Sequence, residues 1–264
     1  MIYENGINPY RLGVISLLRR LRWDLRRESR VSRQHLREVK DSQKGKSALI
    51  LCNGPSLNRV DFEAVERSGV FVIGLNKINL LYDRTTLRPH SIVCVNPHVI
   101  EQNADYFNST EIPLYLAKQA VHPRPIVPQR ENVTYLYQYE EMRGPVGDVT
   151  NVVVTGATVT TVALQLAIHM GFSKIGLVGC DHNFASKGEA HKAVKAGDKD
   201  PDHFHPEYFS KGVTWQLPDL VESELFYGRT RTLAERLDRR ILNCTEGGKL
   251  EVFERCSLHE FLKS

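Results

Sequence analysis

The chain has no apolar run near the roughly 20 residues that a membrane-spanning helix needs, and hydrophobic residues make up only 41% of its 264 positions. No Gly-x-Gly-x-x-Gly follows the first strand-like run, and Gly-x4-Gly-Lys-Ser/Thr is absent. Those absences disfavour a dinucleotide dehydrogenase and a P-loop NTPase. Five cysteines, at 52, 94, 180, 244 and 256, include no Cys-x-x-Cys pair. They read as buried thiols in a reducing compartment, with neither a disulfide frame nor a zinc site. The N-terminal apolar residues are broken by arginines and lack a small-residue cleavage site, so the expected location is cytoplasmic.

Net charge is also missing from most of the molecule. The formal net charge is +4, but residues 1–40 hold ten Arg/Lys against four Asp/Glu, which leaves the remainder slightly negative. A body of that kind offers no general nucleic-acid surface. The basic charge sits in "RLGVISLLRRLRWDLRRESRVSRQHLREVK", residues 11–40, where Val14, Leu17, Leu18, Leu21 and Leu25 follow helical spacing among arginines. Such a basic amphipathic helix, with Trp23 near its boundary, suits an anionic membrane surface, and a peripheral position on the inner face of the cytoplasmic membrane would follow. Packing on the domain or on another subunit of a homo-oligomer is the plainer alternative. The expected division is a helical extension and linker over 1–45, then one nucleotide-binding domain over 46–264.

From Ser47 onward, strand-like runs alternate with helical ones. Strands are expected at 47–52, 70–75, 91–95, 113–117, 133–138, 174–179 and 240–244, and helices at 58–67, 98–107, 157–171 and 217–238. Several strands are continuous Val/Ile/Leu runs, the mark of a parallel sheet buried on both faces. The fold class is therefore α/β: a Rossmann-like, doubly wound, mainly parallel sheet with helices on both faces, plus the N-terminal basic helix. Ligands of such sheets bind at the C-terminal strand ends, where strand order reverses.

That rule selects the candidate site. The first strand ends in Asn53-Gly54-Pro55-Ser56, the second at Asn76, the third at Asn96, and the sixth at Gly179-Cys180-Asp181-His182-Asn183. Thr155-Gly156-Ala157-Thr158 opens a helix that is apolar nearly all round. Asparagine amides suit phosphate oxygens and base or ribose edges, and a helix start offers free N–H groups to an anion. Any one such tip is ordinary turn composition; their coincidence on one sheet edge points to nucleotide binding.

Residues 182–214 form a long polar lid with an aromatic end. Its His203 or His205 is the natural base for a hydroxyl nucleophile, Asp181 is a further catalytic candidate, and Tyr208 is placed to hold a leaving phosphate. His-x-His alone does not make a metal site, so no metal ligand is assigned.

The ordered set "LILCNGPSL", "VIGLN", "VCVNP", "TGATVTTVALQLAIHMGFSKIGLVGCDHNF" and "ILNCTEGGKLEVF" resembles the family called domain of unknown function 115. That family includes the 6-hydroxymethylpterin diphosphokinase-like domain and the motility accessory factors. The motif order is also similar to the bacterial sialyltransferases of glycosyltransferase family 42. The resemblance implies a transferase whose Asn53 and Asn76 contact the CMP part of a donor, with Asn96, Thr155–Thr158, Gly179 and Asp181 at matching positions. It also implies a lid histidine as base and lid tyrosines on the donor phosphate, although Asn183 takes the first tyrosine position. The expected activity is glycosyl transfer from a nucleotide-activated, CMP-linked sugar to a cell-surface glycan or glycolipid, with no required cofactor. The rivals are a Mg²⁺-dependent diphosphokinase of the hydroxymethylpterin type and a non-catalytic nucleotide-binding protein.

Overall fold

The computed structural model describes residues 8–139, 144–186 and 188–263. Its framework is an eight-stranded, wholly parallel sheet. In chain order the strands are β1 (Ser47–Leu51), β2 (Phe71–Leu75), β3 (Ser91–Cys94), β4 (Leu114–Ala117), β5 (Val133–Leu136) and β6 (Lys174–Val178). A small antiparallel hairpin follows, β7 (Ala193–Lys195) and β8 (Thr214–Gln216), and then β9 (Arg240–Asn243) and β10 (Glu254–Arg255) rejoin the sheet. The sheet order is β10-β9-β6-β1-β2-β3-β4-β5. β1 thus has β2 on one side and β6 on the other. The chain winds outward from β1 in both directions, and the crevice at that reversal is where a ligand fits.

The Val/Ile/Leu runs behave as parallel strands must. Ala48 to Leu51, Val72 to Leu75 and Ile175 to Val178 are all buried, because helices close both faces. The helices are α1 (Pro9–Asp24), α2 (Arg27–Val39), α3 (Phe62–Ser68), α4 (Pro97–Gln102), α5 (Ala104–Ser109), α6 (Val159–Met170), α7 (Leu220–Arg236) and α8 (Leu258–Lys263). α6 runs under β1, β2 and β3 with α7 beside it, and α8 packs on β6 with α3 as neighbour. α6 is buried on every side, as its composition predicts, and Gly171 caps it in the left-handed region at φ 95.

Some boundaries differ from those read in the sequence. The helix expected at 58–67 begins as a 3-10 turn over Pro55–Arg59, and α3 starts only where Asp61 caps it by accepting from Ala64 N. The helix expected at 98–107 is divided between α4 and α5 at Asn103. The lid, read as a loop, contains the β7–β8 hairpin; three-residue strands are too short to leave a periodic signal.

The largest difference is in the N-terminal segment, which is two helices instead of one. Arg26 is extended, at ψ 147, between α1 and α2. In α2 the buried residues are Ser29, Ser32 and Leu36; Ser32 Oγ accepts from Tyr135 N at 2.9 Å, which ties α2 to β5. In α1 the residue that enters the core is Trp23, 4% exposed and packed on Tyr135 and Tyr137. At 100° per residue an unbroken helix would hold Trp23 roughly 150° away from the Ser29–Leu36 face. Only a break lets both reach the domain. Trp23 therefore anchors α1 to the protein; the sequence suggested an interfacial residue, and burial against Tyr135 and Tyr137 corrects that.

Candidate functional site

The sequence loop after β1 is built by close backbone approach. Cys52 N donates to Val178 O at 2.9 Å and Gly54 N donates to Gly179 O at 2.8 Å, extending the β1–β6 pairing past both strands. A Cβ on Gly54 would lie 2.1 Å from Asp181 Oδ2 and 2.7 Å from Gly179 O, so only glycine fits. Ser56 donates to the Asp181 carboxylate from its hydroxyl at 2.6 Å and from its backbone N–H at 3.2 Å. Asp181, a catalytic candidate from the sequence, is thus engaged in holding the Asn53–Ser56 loop in place.

Two adjoining clefts open at this sheet edge, of about 700 and about 1200 Å³ counting their open mouths. Together they are large enough for a nucleotide with a small attached group. Asn53, Gly54, Gly179, Asp181, His182 and Asn183 line the first, and Asn96, Thr155 and Tyr208 the second. Asn76, Ala157, Thr158 and His203 line both. Of the predicted residues, Pro55, Ser56, Gly156 and His205 line neither. Ser56 is turned to Asp181, and a Cβ at Gly156, where φ is +51, would lie 2.3 Å from the Phe226 ring. His205 is half-buried outside the clefts, its Nδ1 accepting from Glu207 N at 3.2 Å.

Four cleft-lining residues carry a buried oxygen with no hydrogen-bond partner: Asn53 Oδ1, Asn76 Oδ1, Gln138 Oε1 and Tyr208 Oη. Tyr208 Oη and the Asn76 side chain are close enough to interact, yet neither oxygen completes a well-directed bond. An unpaired buried polar group costs about 1–3 kcal/mol, and a ligand that pairs these oxygens would recover that cost. Burial pushes the Tyr208 hydroxyl far above its ordinary range, so it stays a neutral donor. Backbone strain gathers at the same place. Asn76, Ala157, His182 and His191 all have φ between 50 and 62, and all four line the clefts. Left-handed non-glycine residues of this kind cluster at binding sites.

The start of α6 faces both clefts. Thr158 caps the helix, its side chain accepting from Thr160 N at 3.3 Å, and Val159 and Thr160 at the first turn line the opening. Their end of the helix favours an anion.

The lid is docked. Phe204 N donates to Asn53 O at 2.9 Å and Asn58 Nδ2 donates to Phe204 O at 2.9 Å. Lys77, itself buried, donates from Nζ to Tyr208 O and to Gln102 Oε1, both at 2.8 Å. His203 stacks on the Tyr208 ring with centroids 4.0 Å apart, and its Nδ1 bonds Asp200 Oδ2 at 2.8 Å. Burial raises the Asp200 carboxyl, but hydrogen bonds from His203, Asp202 N and Phe209 N outweigh it and hold the group below its ordinary range. With an ionised Asp200 as acceptor, the His203 Nδ1 is the donor of this bond, which leaves Nε2 as the acceptor nitrogen of a neutral ring.

Two groups carry more at the site than their sequence context tells. Asp200 reads in sequence as one of three acids, with Asp181 and Asp202, that could serve Mg²⁺ in the diphosphokinase reading, and nothing there pairs it with His203. Tyr227 is buried in the first cleft, edge-on to His182, with its hydroxyl 3.5 Å from Thr158 Oγ1; within a helical stretch it carries no signal. Among the described residues, one group could hold a metal ion, His191 with Asp219 and Glu222, whose ligand atoms lie within 4.8 Å of one another.

No curated protein sequence matches the chain. Among solved structures it is similar to the MAf glycosyltransferase from Magnetospirillum magneticum AMB-1, with TM-score 0.51, 16% identity, and coverage of 87% of this chain and 38% of that one. At that identity the likeness speaks for the fold, and this chain spans well under half the length of that protein. Residues 27–187, from the start of α2 through the clamp at Asp181, match the family described as 6-hydroxymethylpterin diphosphokinase MptE-like. That stretch is more than half of the chain, which therefore belongs to the MptE-like family.

Proposed function

We propose that this protein is a transferase that binds a nucleotide-activated sugar, CMP-linked, across the two clefts and passes the sugar to a glycan or glycolipid hydroxyl. The observation that carries the reading is the Asp200–His203 pair, whose histidine lines both clefts. In the step proposed, His203 Nε2 takes the proton of the acceptor hydroxyl as its oxygen forms a bond to the anomeric carbon. The bond from that carbon to the donor phosphate breaks, and the nucleotide leaves with the electron pair. Asn53 and Asn76 pair with the nucleotide, while Tyr208 and the α6 start receive the phosphate charge. The similarity to a solved glycosyltransferase supports the reaction class.

The second reading is pyrophosphate transfer from ATP, the activity in the family's description. It needs Mg²⁺ held by carboxylates. Asp181 is engaged with Ser56, Asp200 with His203, and Asp202 with Ser186 and Ala185 N. Among the described residues, His191, Asp219 and Glu222 form the set that would serve, and the first two line the second cleft.

Thermal stabilisation by CMP, CDP, UDP and ATP, each with and without Mg²⁺, separates the two. Stabilisation by CMP without metal supports sugar transfer. A response confined to ATP with Mg²⁺ overturns it in favour of the second reading. No response to any nucleotide overturns both and leaves a non-nucleotide ligand for the clefts.

A further inference from the structure

The apolar stripe that gives the N-terminal segment its helical periodicity does not pack on the domain. Tyr10, Val14, Leu17, Leu18, Leu21 and Leu25 are all exposed, Leu17 at 58% and Leu25 at 79%. They fall within roughly a 100° sector of α1 at 100° per residue. Trp23 lies on the far side of the helix, with Arg20 between it and the stripe. Trp23 enters the core, and Arg20 lies over the Tyr137 ring and donates to Asn151 O. The break at Arg26 is what turns the stripe outward. Most of the exposed large hydrophobic side chains of the described residues belong to this one helix, and a contiguous apolar surface of that kind marks an interaction site.

The charge around the stripe selects the partner. Arg11 and Arg22 border it, and both are exposed. Exposed Arg27 and Arg30 continue the basic surface onto α2. The single acid of α1, Asp24, is half-buried and paired with Arg20 at 2.8 Å and Arg33 at 3.4 Å. A symmetric contact with a second copy would set this positive patch against itself. An anionic lipid surface instead receives the leucines below its headgroups and neutralises the arginines.

We infer that α1 is a membrane-docking helix that lies in the surface of an anionic bilayer, held by its outward leucine stripe and bordering arginines. The docked helix is fixed beside the candidate site. Tyr137 under Arg20 immediately precedes Gln138, which lines the second cleft, and Asn151 lies four residues before Thr155. The inference stands on α1 alone and does not depend on which group is transferred.

The test is co-sedimentation of the full chain with phosphatidylcholine vesicles, with and without about 30% phosphatidylglycerol, at low and at raised salt. The expected result is binding to the anionic vesicles only, weakened by salt. Leu17→Asp with Leu21→Asp should reduce it at least about tenfold, and Arg11→Glu with Arg22→Glu should do the same. Circular-dichroism melts of both variants should match the parent, which shows that each folds. Absence of binding to anionic vesicles at low salt, or binding retained by the leucine variant, overturns the proposal. A lipid-free dimer in sedimentation velocity that the leucine variant dissolves also overturns it and assigns the stripe to a second copy.

Discussion

Replacing Gly54 by alanine tests the architecture of the site at its tightest point. The added Cβ would stand 2.1 Å from Asp181 Oδ2, 2.8 Å from Asp181 Cγ and 2.7 Å from Gly179 O. No real contact is that short, so something must move. Gly179 O is held by Gly54 N at 2.8 Å, so moving it breaks a backbone hydrogen bond of about 1 kcal/mol. Moving the carboxylate breaks its bonds from Ser56 Oγ and Ser56 N, charge-assisted and each about 1.5–3 kcal/mol. The expected loss is on the order of 3–5 kcal/mol, a large share of the stability of an ordinary domain. For a chain of this size that lowers Tm by roughly 10–15 °C. Circular-dichroism melts read it directly. Asp181→Ala should lower Tm as well, and the two changes together should cost about 1–2 kcal/mol less than their sum, because the carboxylate clash exists only when both partners are present. Nucleotide binding should weaken with Gly54→Ala, since Asn53 is carried by the displaced loop. A Gly54→Ala protein that melts within about 2 °C of the parent and binds nucleotide equally would refute the close approach.

His203→Ala should lower transfer by about 10²–10⁴-fold while leaving nucleotide-induced stabilisation intact, and Asp200→Asn should shift the pH profile of the remaining activity; equal loss of binding in either variant would reassign the pair to structure. The buried His169 ring donates from Nε2 to Leu36 O at 2.7 Å and is held neutral by burial, which lowers its pKa. The unfolded chain therefore takes up a proton that the folded one refuses, so Tm should fall as pH drops below the ordinary histidine range of about 6.5. His169→Gln should flatten that slope between pH 7.5 and pH 5, as pH-dependent melts would show. Trp23→Ala should cost about 3–5 kcal/mol because its ring is buried against Tyr135 and Tyr137. Leu17→Asp should leave Tm nearly unchanged, since that side chain faces water; reversed effects at these two positions would contradict the orientation of α1.

Much of the fold was legible because parallel strands carry their burial in composition. The apolar runs at 47–52, 70–75 and 174–179 are buried on both faces, and a helix apolar all round has no place except against a sheet. The strand-tip asparagines were legible for a geometric reason: alternating strands and helices send every strand's C-terminal end to one edge. The pairings inside the site were not legible. Asp181 looks like a catalytic acid until Ser56 is seen on it. His203 and His205, two residues apart in one polar stretch, are distinguished only by which of them the docked lid turns toward the clefts and Asp200.

The sequence by itself determined the α/β alternation, the edge at which polar groups gather, and a basic amphipathic N-terminus with its stripe of leucines. Periodicity and strand direction are local properties of the chain, and those features follow from them. Only the tertiary structure decided where that stripe points. A break at Arg26 sends Trp23 inward and the leucines to solvent, and a rotation of one helix about its axis leaves the hydrophobic pattern unchanged. The same holds for Asn53-Gly54-Pro55-Ser56, where contacts with residues more than 120 positions away make glycine necessary and commit the serine to Asp181.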